Sequence, residues 1–298
     1  MTIIQLWQRI PALPRAVIAG FVAALLGTGS WAALVAMNLE HWSDVPWCVP
    51  VMALILVAWW RYFVRGRGWP AATGEARRLG ARANRVPHHL WGAALGSGIL
   101  GLTCVLLLQG ILARLVSLPQ QQDIDPSNYP FATVLMWVIM SAFVAGIVEE
   151  TAFRGYMQRG IEQRHGFLVA ILVTGLVFGL VHFTHREVGI VLLPYYVAVA
   201  AVYGALSYAT NSTFPSMVLH TGGNILSALS LSSQGRSEWE LGTGPAPLVW
   251  QSGVDAAFVV NVVAFLVVCL GTIFAYRALI SAGREAQLQA MQPGAAEL

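Results

Sequence analysis

The sequence predicts an all-α fold, a polytopic bundle of about eight transmembrane helices. Three observations predict it. Of the 298 residues, 57% are hydrophobic and only 10% charged, against about a quarter charged in an average soluble domain. Eight apolar stretches approach or reach the roughly 20 residues that a bilayer-spanning helix needs. The arginines concentrate in loops and ends that fall on one side of such a bundle, as cytoplasmic segments require.

The first stretch, Ala16 to Met37, exceeds the apolar core of a secretory signal peptide and is read as a retained span. The second, Val45 to Trp60, is short and leads into a loop where seven arginines from Arg61 to Arg85 meet a single acid, Glu75. That loop is expected in the cytoplasm. A third stretch, Leu90 to Leu112, is followed by QQQDIDPSNYP at Gln120 to Pro130, whose Pro and polar content reads as an external loop. The fourth is Phe131 to Val148. Its helical period continues through residue 165, with Phe153, Tyr156, Met157, Gly160 and Ile161 on one face and Arg154, Gln158, Arg159, Glu162 and Gln163 on the other.

A break at His165 and Gly166 then precedes the short fifth stretch, Phe167 to His182. Val188 to Ala209 and the short Met217 to Leu231 follow, then a second external loop, Gln234 to Pro247, and the eighth stretch, Ala256 to Ala275. Counting outward from the basic loop puts both chain ends in the cytoplasm, with Arg9, Arg15, Arg277 and Arg284. Residues 1–89 are read as an N-terminal two-helix region with the basic loop, peripheral to a membrane core at 90–276, and 277–298 as a cytoplasmic tail.

Smaller features have plain readings. Cys48, Cys104 and Cys269 lie in apolar stretches without metal or disulfide spacing. Trp42, Trp47, Trp59, Trp60 and Trp69 suit interfacial anchors. His88 and His89 precede the third helix, and His185, Arg186 and Glu187 read as a polar loop. The sequon at Asn211 to Thr213 carries weight only in a secretory host. All seventeen basic residues are arginine, which hints at a GC-rich bacterial genome and hence a bacterial cytoplasmic membrane. The net charge of +3 says little; no nucleic-acid partner is expected, and the partners expected are the lipid bilayer and a peptide or protein at the membrane. Nothing in the sequence sets an oligomeric state.

Ionisable groups inside spans are costly and mark function. Here they are Glu149 and Glu150 in VEETAFRGYMQRG, His182, and His220 with Asn224 in LHTGGN. Glu150 stands four residues before Arg154, the favourable helical pairing. Glu149, about 100° around the helix, lacks that cation and is the candidate proton acceptor. In an antiparallel hairpin about Gly166, Glu149 and His182 come level, seventeen residues before the turn and sixteen after it. Phe178 shares a face with His182 and is read chiefly as core packing, with the option of walling off the imidazole. Gly222 and Gly223 serve either close helix packing or the approach of a substrate backbone. A carboxylate, two imidazoles and an amide together can activate a water and stabilise an oxyanion. No HExxH, no Gly-x-Ser-Gly and no aspartate pair within spans offers another route to peptide hydrolysis.

E-E-x-x-x-R at Glu149, Glu150 and Arg154, F-x-x-x-H at Phe178 and His182, and H-x-x-x-N at His220 and Asn224 resemble, in this order, the three motifs of the CPBP family of CAAX proteases and bacteriocin-processing enzymes, also called Abi, over residues 130 to 232. The resemblance implies an intramembrane endopeptidase of the type II CAAX prenyl endopeptidase kind. In it Glu149 activates the attacking water and His182 positions it; Glu150 and Arg154 orient the base, and His220 and Asn224 hold the oxyanion. Two chemistries stay open. Glu149, His182 and His220 would make a three-ligand catalytic zinc shell, while a Glu and His pair needs no cofactor; the absence of a local two-histidine ligand motif tilts the reading to the metal-free form. A proton- or ion-coupled transporter would call for inverted repeats or broken helices, which the sequence lacks. A non-catalytic immunity or scaffold protein would keep the fold without needing the motifs.

Overall fold

The computed structural model describes residues 3–116, 128–182, 186–233 and 247–291. Among them the chain is helical and without strands. The helices are α1 (Ile3–Arg9), α2 (Ala12–Glu40), α3 (Cys48–Trp59, wound on through Val64), α4 (Gly74–Gly80), α5 (His88–Leu115), α6 (Phe131–His165), α7 (Phe167–Val181), α8 (Arg186–Thr210), α9 (Phe214–Ser233), α10 (Val249–Ser252) and α11 (Ala256–Met291). All eight apolar stretches are helices. Five of the helices are long and apolar enough to cross a membrane, and α3 with its extension and α7 are shorter apolar ones. The protein is an integral membrane helical bundle.

Proline and glycine set the helix limits. Pro11, Pro87 and Pro130 stand at the N-caps of α2, α5 and α6, where a missing N–H costs nothing. Gly166, at φ 81° and ψ 171°, makes the break between α6 and α7 in a region essentially reserved for glycine. Three elements differ from expectation. The basic loop contains the short helix α4; α8 already begins at Arg186, so the chain there is helix rather than loop, and His185 lies outside the described residues. The last helix does not stop at 275 but runs on through most of the expected tail.

Two sets of contacts fix which helix ends lie together. At one end Arg82 Nη1 lies 2.9 Å from Glu162 Oε2, Thr213 N donates to the Arg82 carbonyl at 3.0 Å, Asn84 Nδ2 donates to the Asn211 carbonyl at 2.8 Å, and a Cβ on Gly160 would touch Ala16. At the other end Thr133 Oγ1 donates to the Asp44 carbonyl at 2.6 Å and Arg114 Nη2 to Asp255 Oδ2 at 2.8 Å. The basic loop, the α6–α7 turn, the α8–α9 turn and the start of α2 thus share one face of the bundle, as the arginine distribution requires.

Arg77 shows that the basic loop has a built interior. Its guanidinium donates to the carbonyls of Tyr62, Pro70, Gly66 and Gly68 at 3.1 to 3.3 Å and to Thr73 Oγ1, and it lies 4.0 Å over the Tyr62 ring. One buried cation thereby ties together four backbone carbonyls of the loop.

The core runs along α6. On α2 the buried positions Ala16, Gly20, Ala23, Ala24, Gly27 and Trp31 form a stripe of mostly small residues, and a Cβ on Gly20 would lie 2.7 Å from Met157 Cβ. Small residues let membrane helices approach backbone to backbone. Trp31 Nε1 also donates to Ser141 Oγ at 2.9 Å. Hence α2 shares one hydrophobic cluster with Val148, Ala152, Phe153 and Met157 of α6 and with Phe178 of α7.

Candidate active site

The middle of α6, Ala145–Gln158, is wound as a π-helix of 14 residues. π-Turns are rare, usually single, and frequent at functional sites. From Glu150 to Gln158 every residue except Tyr156 is buried. The two-faced pattern expected from residue 151 onward is therefore overturned at Arg154 and Gln158, both fully enclosed. The reason is packing: α2 covers one side of α6 while α7, α8 and α9 cover the other, so no water-facing side remains.

Glu150 and Arg154 pair as their spacing predicts, with Nη1 3.2 Å from Oε1 and both side chains 0% exposed. The guanidinium lies 4.8 Å over the Phe178 ring and 5.4 Å over the Tyr203 ring, a cation–π sandwich worth about 1–2 kcal/mol per desolvated contact. Arg154 Nε, Nη1 and Nη2 and Glu150 Oε2 have no hydrogen-bond partner among the described residues. Buried polar groups are otherwise almost always paired, and exceptions call for a reason such as function.

His220, on α9, stands with Nδ1 2.8 Å from Glu150 Oε1. The resemblance implies an oxyanion donor here beside Asn224; in the structure this ring is also the second partner of Glu150. Because the carboxylate accepts, Nδ1 carries the proton and Nε2 is the free nitrogen. Its ring stacks on Tyr203 at 4.7 Å and 15°. The approach of α9 to α6 depends on Gly146, one step of four before Glu150. A Cβ there would overlap Thr221 Oγ1 and lie 2.9 Å from the Met217 carbonyl. Asn224 follows one turn after His220, half-buried.

His182 forms the C-cap of α7. Its Nδ1 is 2.7 Å from the Phe178 carbonyl, so it donates there and leaves Nε2 as an acceptor. The ring rests between Phe178, at 4.5 Å, and Tyr196, stacked at 4.6 Å and 28°. Phe178 is thus both a core residue and a wall of the imidazole. Its ring meets Phe153 edge-on at 5.2 Å. Phe153 is four residues after Glu149 and Phe178 four before His182, so this ring contact is one that a hairpin about Gly166 would make. Glu149 itself is half-buried, unlike its enclosed neighbour.

The two glycines of LHTGGN separate. A Cβ on Gly222 would have no described atom within 4 Å, and one on Gly223 would meet only Tyr203 Oη, at 3.8 Å. Neither serves close helix packing, unlike Gly98 of α5, where a Cβ would run into Leu219.

Among the described residues no three His, Cys, Asp or Glu side chains come together to hold an ion; both imidazoles commit Nδ1, to Glu150 and to the Phe178 carbonyl, and keep Nε2 free. Sequence reasoning missed Gly146, Tyr196 and Tyr203. Gly146 precedes Glu150 by four residues, and the two tyrosines stand seven apart on α8, a spacing that places them on one helix face.

Residues 131–226, from the start of α6 into α9, match the family described as type II CAAX prenyl endopeptidase Rce1-like. The match contains all seven motif residues. No curated protein matches the chain, and no solved structure does.

Proposed function

Since residues 131–226 belong to the CPBP/CAAX protease family, we propose that the protein is an intramembrane endopeptidase in which Glu149 activates the attacking water. The observation that carries this reading is the division between the two glutamates: Glu150 is enclosed and held by Arg154 and His220, while Glu149 is half-buried.

Water sits between Glu149 and the free Nε2 of His182. Glu149 takes one proton as the water oxygen attacks the scissile carbonyl carbon, and the carbonyl electrons move to oxygen. Asn224 and His220 Nε2 stabilise that oxyanion; Nε2 donates only when the ring carries both protons, and Glu150 then supplies the counter-charge. Collapse breaks the C–N bond, and Glu149 returns its proton to the leaving amine. Arg154 holds Glu150 in place through their ion pair, its own guanidinium set over the Phe178 and Tyr203 rings. No step requires a metal.

The substrate is a peptide presented at the membrane, either a C-terminally prenylated one or a leader or membrane-protein segment. We place the protein in a bacterial cytoplasmic membrane with its basic end inside.

The test uses purified full-length protein in detergent, wild type and Glu149→Gln, on a fluorogenic prenylated peptide and a membrane-peptide library, each with and without a strong chelator. The expected result is cleavage by wild type alone, unchanged by chelation. Loss on chelation with recovery by zinc would overturn the metal-free chemistry. Equal behaviour of wild type and Glu149→Gln would overturn the protease reading.

A further inference from the structure

We infer that Tyr203 is a catalytic residue, its hydroxyl donating a hydrogen bond to the oxyanion in the space that Gly223 leaves empty. The inference rests on the protease reading above and extends it to a residue outside the three motifs.

Three observations meet at this point. Tyr203 is buried on α8, and two neighbours fix its position. His220 stacks on its ring at 4.7 Å and 15°, and the Arg154 guanidinium stands 5.4 Å from its centroid. A buried ring packed against these two groups holds its hydroxyl in place. That place is given by Gly223: Oη lies 3.8 Å from where a Cβ would be.

At about 100° per residue, Gly223 and Asn224 fall some 60° and 40° to either side of His220, so the three share a face of α9. Gly222 falls about 200° from His220, beside the exposed Val218 and Leu226. The two neighbouring glycines therefore have different surroundings. Gly223 is the one on the active face, and among the described residues nothing but the tyrosine hydroxyl comes near its missing side chain.

The chemistry supplies the reason for a further donor. With Nδ1 committed to Glu150, His220 can donate from Nε2 only as the imidazolium. The Asn224 amide and the Tyr203 hydroxyl are neutral donors that need no such protonation. Together they stabilise the tetrahedral intermediate whichever charge His220 carries, in a water-poor site where each donor counts for more. The step is the same attack of water on the carbonyl carbon; the hydroxyl keeps its proton throughout and lends only a hydrogen bond.

Tyr203→Phe tests this because it keeps the ring on His220 and Arg154 and removes the hydroxyl alone. On a peptide that wild type cleaves, kcat is expected to fall about 10²- to 10³-fold, the usual cost of one oxyanion donor, with KM and the unfolding temperature little changed. Gly223→Ala places a methyl group in the oxyanion space, where it meets no protein atom closer than ordinary contact. It is expected to lower kcat while leaving the unfolding temperature unchanged or higher. Wild-type kcat in either variant overturns the inference, and so does a loss that merely tracks a lowered unfolding temperature. Glu149→Gln, run alongside, separates the two levels: if it is inactive while Tyr203→Phe or Gly223→Ala cleaves normally, only the role of Tyr203 falls. If Glu149→Gln also cleaves normally, the protease reading falls with it.

Discussion

Gly146→Ala offers a direct test of how the candidate site is assembled. The added Cβ would overlap Thr221 Oγ1 and stand 2.9 Å from the Met217 carbonyl oxygen. Thr221 can rotate away, but the carbonyl belongs to the backbone of α9. Ordinary contact begins at 3.4 Å, so the two helices must part by at least about half an ångström. Overpacking of this kind costs about 1–3 kcal/mol, and replacing a helical glycine by alanine returns about 1 kcal/mol. The net loss of stability is then at most about 2 kcal/mol. The effect on chemistry is larger, because the displaced element carries His220, whose 2.8 Å bond to Glu150 is stretched by the same movement. A misplacement near 1 Å costs about 10²-fold in rate, so a 10- to 100-fold drop in kcat/KM is expected, with a small fall in unfolding temperature. Adding Thr221→Ala removes the worse of the two overlaps and should restore part of the rate. Wild-type kcat/KM in Gly146→Ala alone would refute the claim that this glycine sets the distance between the two halves of the site.

Two further predictions concern the ion pairs. Arg154→Met leaves the Glu150 carboxylate enclosed with His220 alone and should destabilise by about 3–5 kcal/mol, the usual cost of halving a buried pair; adding Glu150→Gln should recover much of it, and a single variant as stable as wild type would contradict the enclosed pair. At the opposite end, Asp255 accepts from Arg114 and from the Phe258 amide, both at 2.8 Å, and these bonds, that of Arg114 foremost, hold its carboxyl below the ordinary carboxylate range. A lowered folded value contributes stability above the unfolded value of about 3.9 and loses it as pH falls through the folded one. The difference in unfolding temperature between wild type and Asp255→Asn should accordingly be constant near neutrality and vanish in acid. Because the pair is exposed, the difference should also shrink in high salt; one that persists in acid would rule the pairing out.

Much of the architecture was legible because lipid constrains a chain more simply than water does. A long apolar stretch in a bilayer has few options but to be a helix, so all eight apolar stretches are helices, five of them long enough to cross, and the arginines alone sort their ends into two faces. The break at Gly166 needs only local backbone sterics. The Glu150–Arg154 pair is likewise a matter of spacing along one helix.

What the tertiary structure decided are the contacts between helices. Apolar side chains look alike to lipid and to each other, so no pattern of hydropathy says which face of α6 meets which neighbour. Only the assembled bundle shows that Arg154 and Gln158 are enclosed, that α2 belongs to the core of the motif helix, and that Gly146 admits α9 closely enough for His220 to reach Glu150. The stacking of Tyr203 on that imidazole is decided in the same way, by packing density between helices remote in the chain.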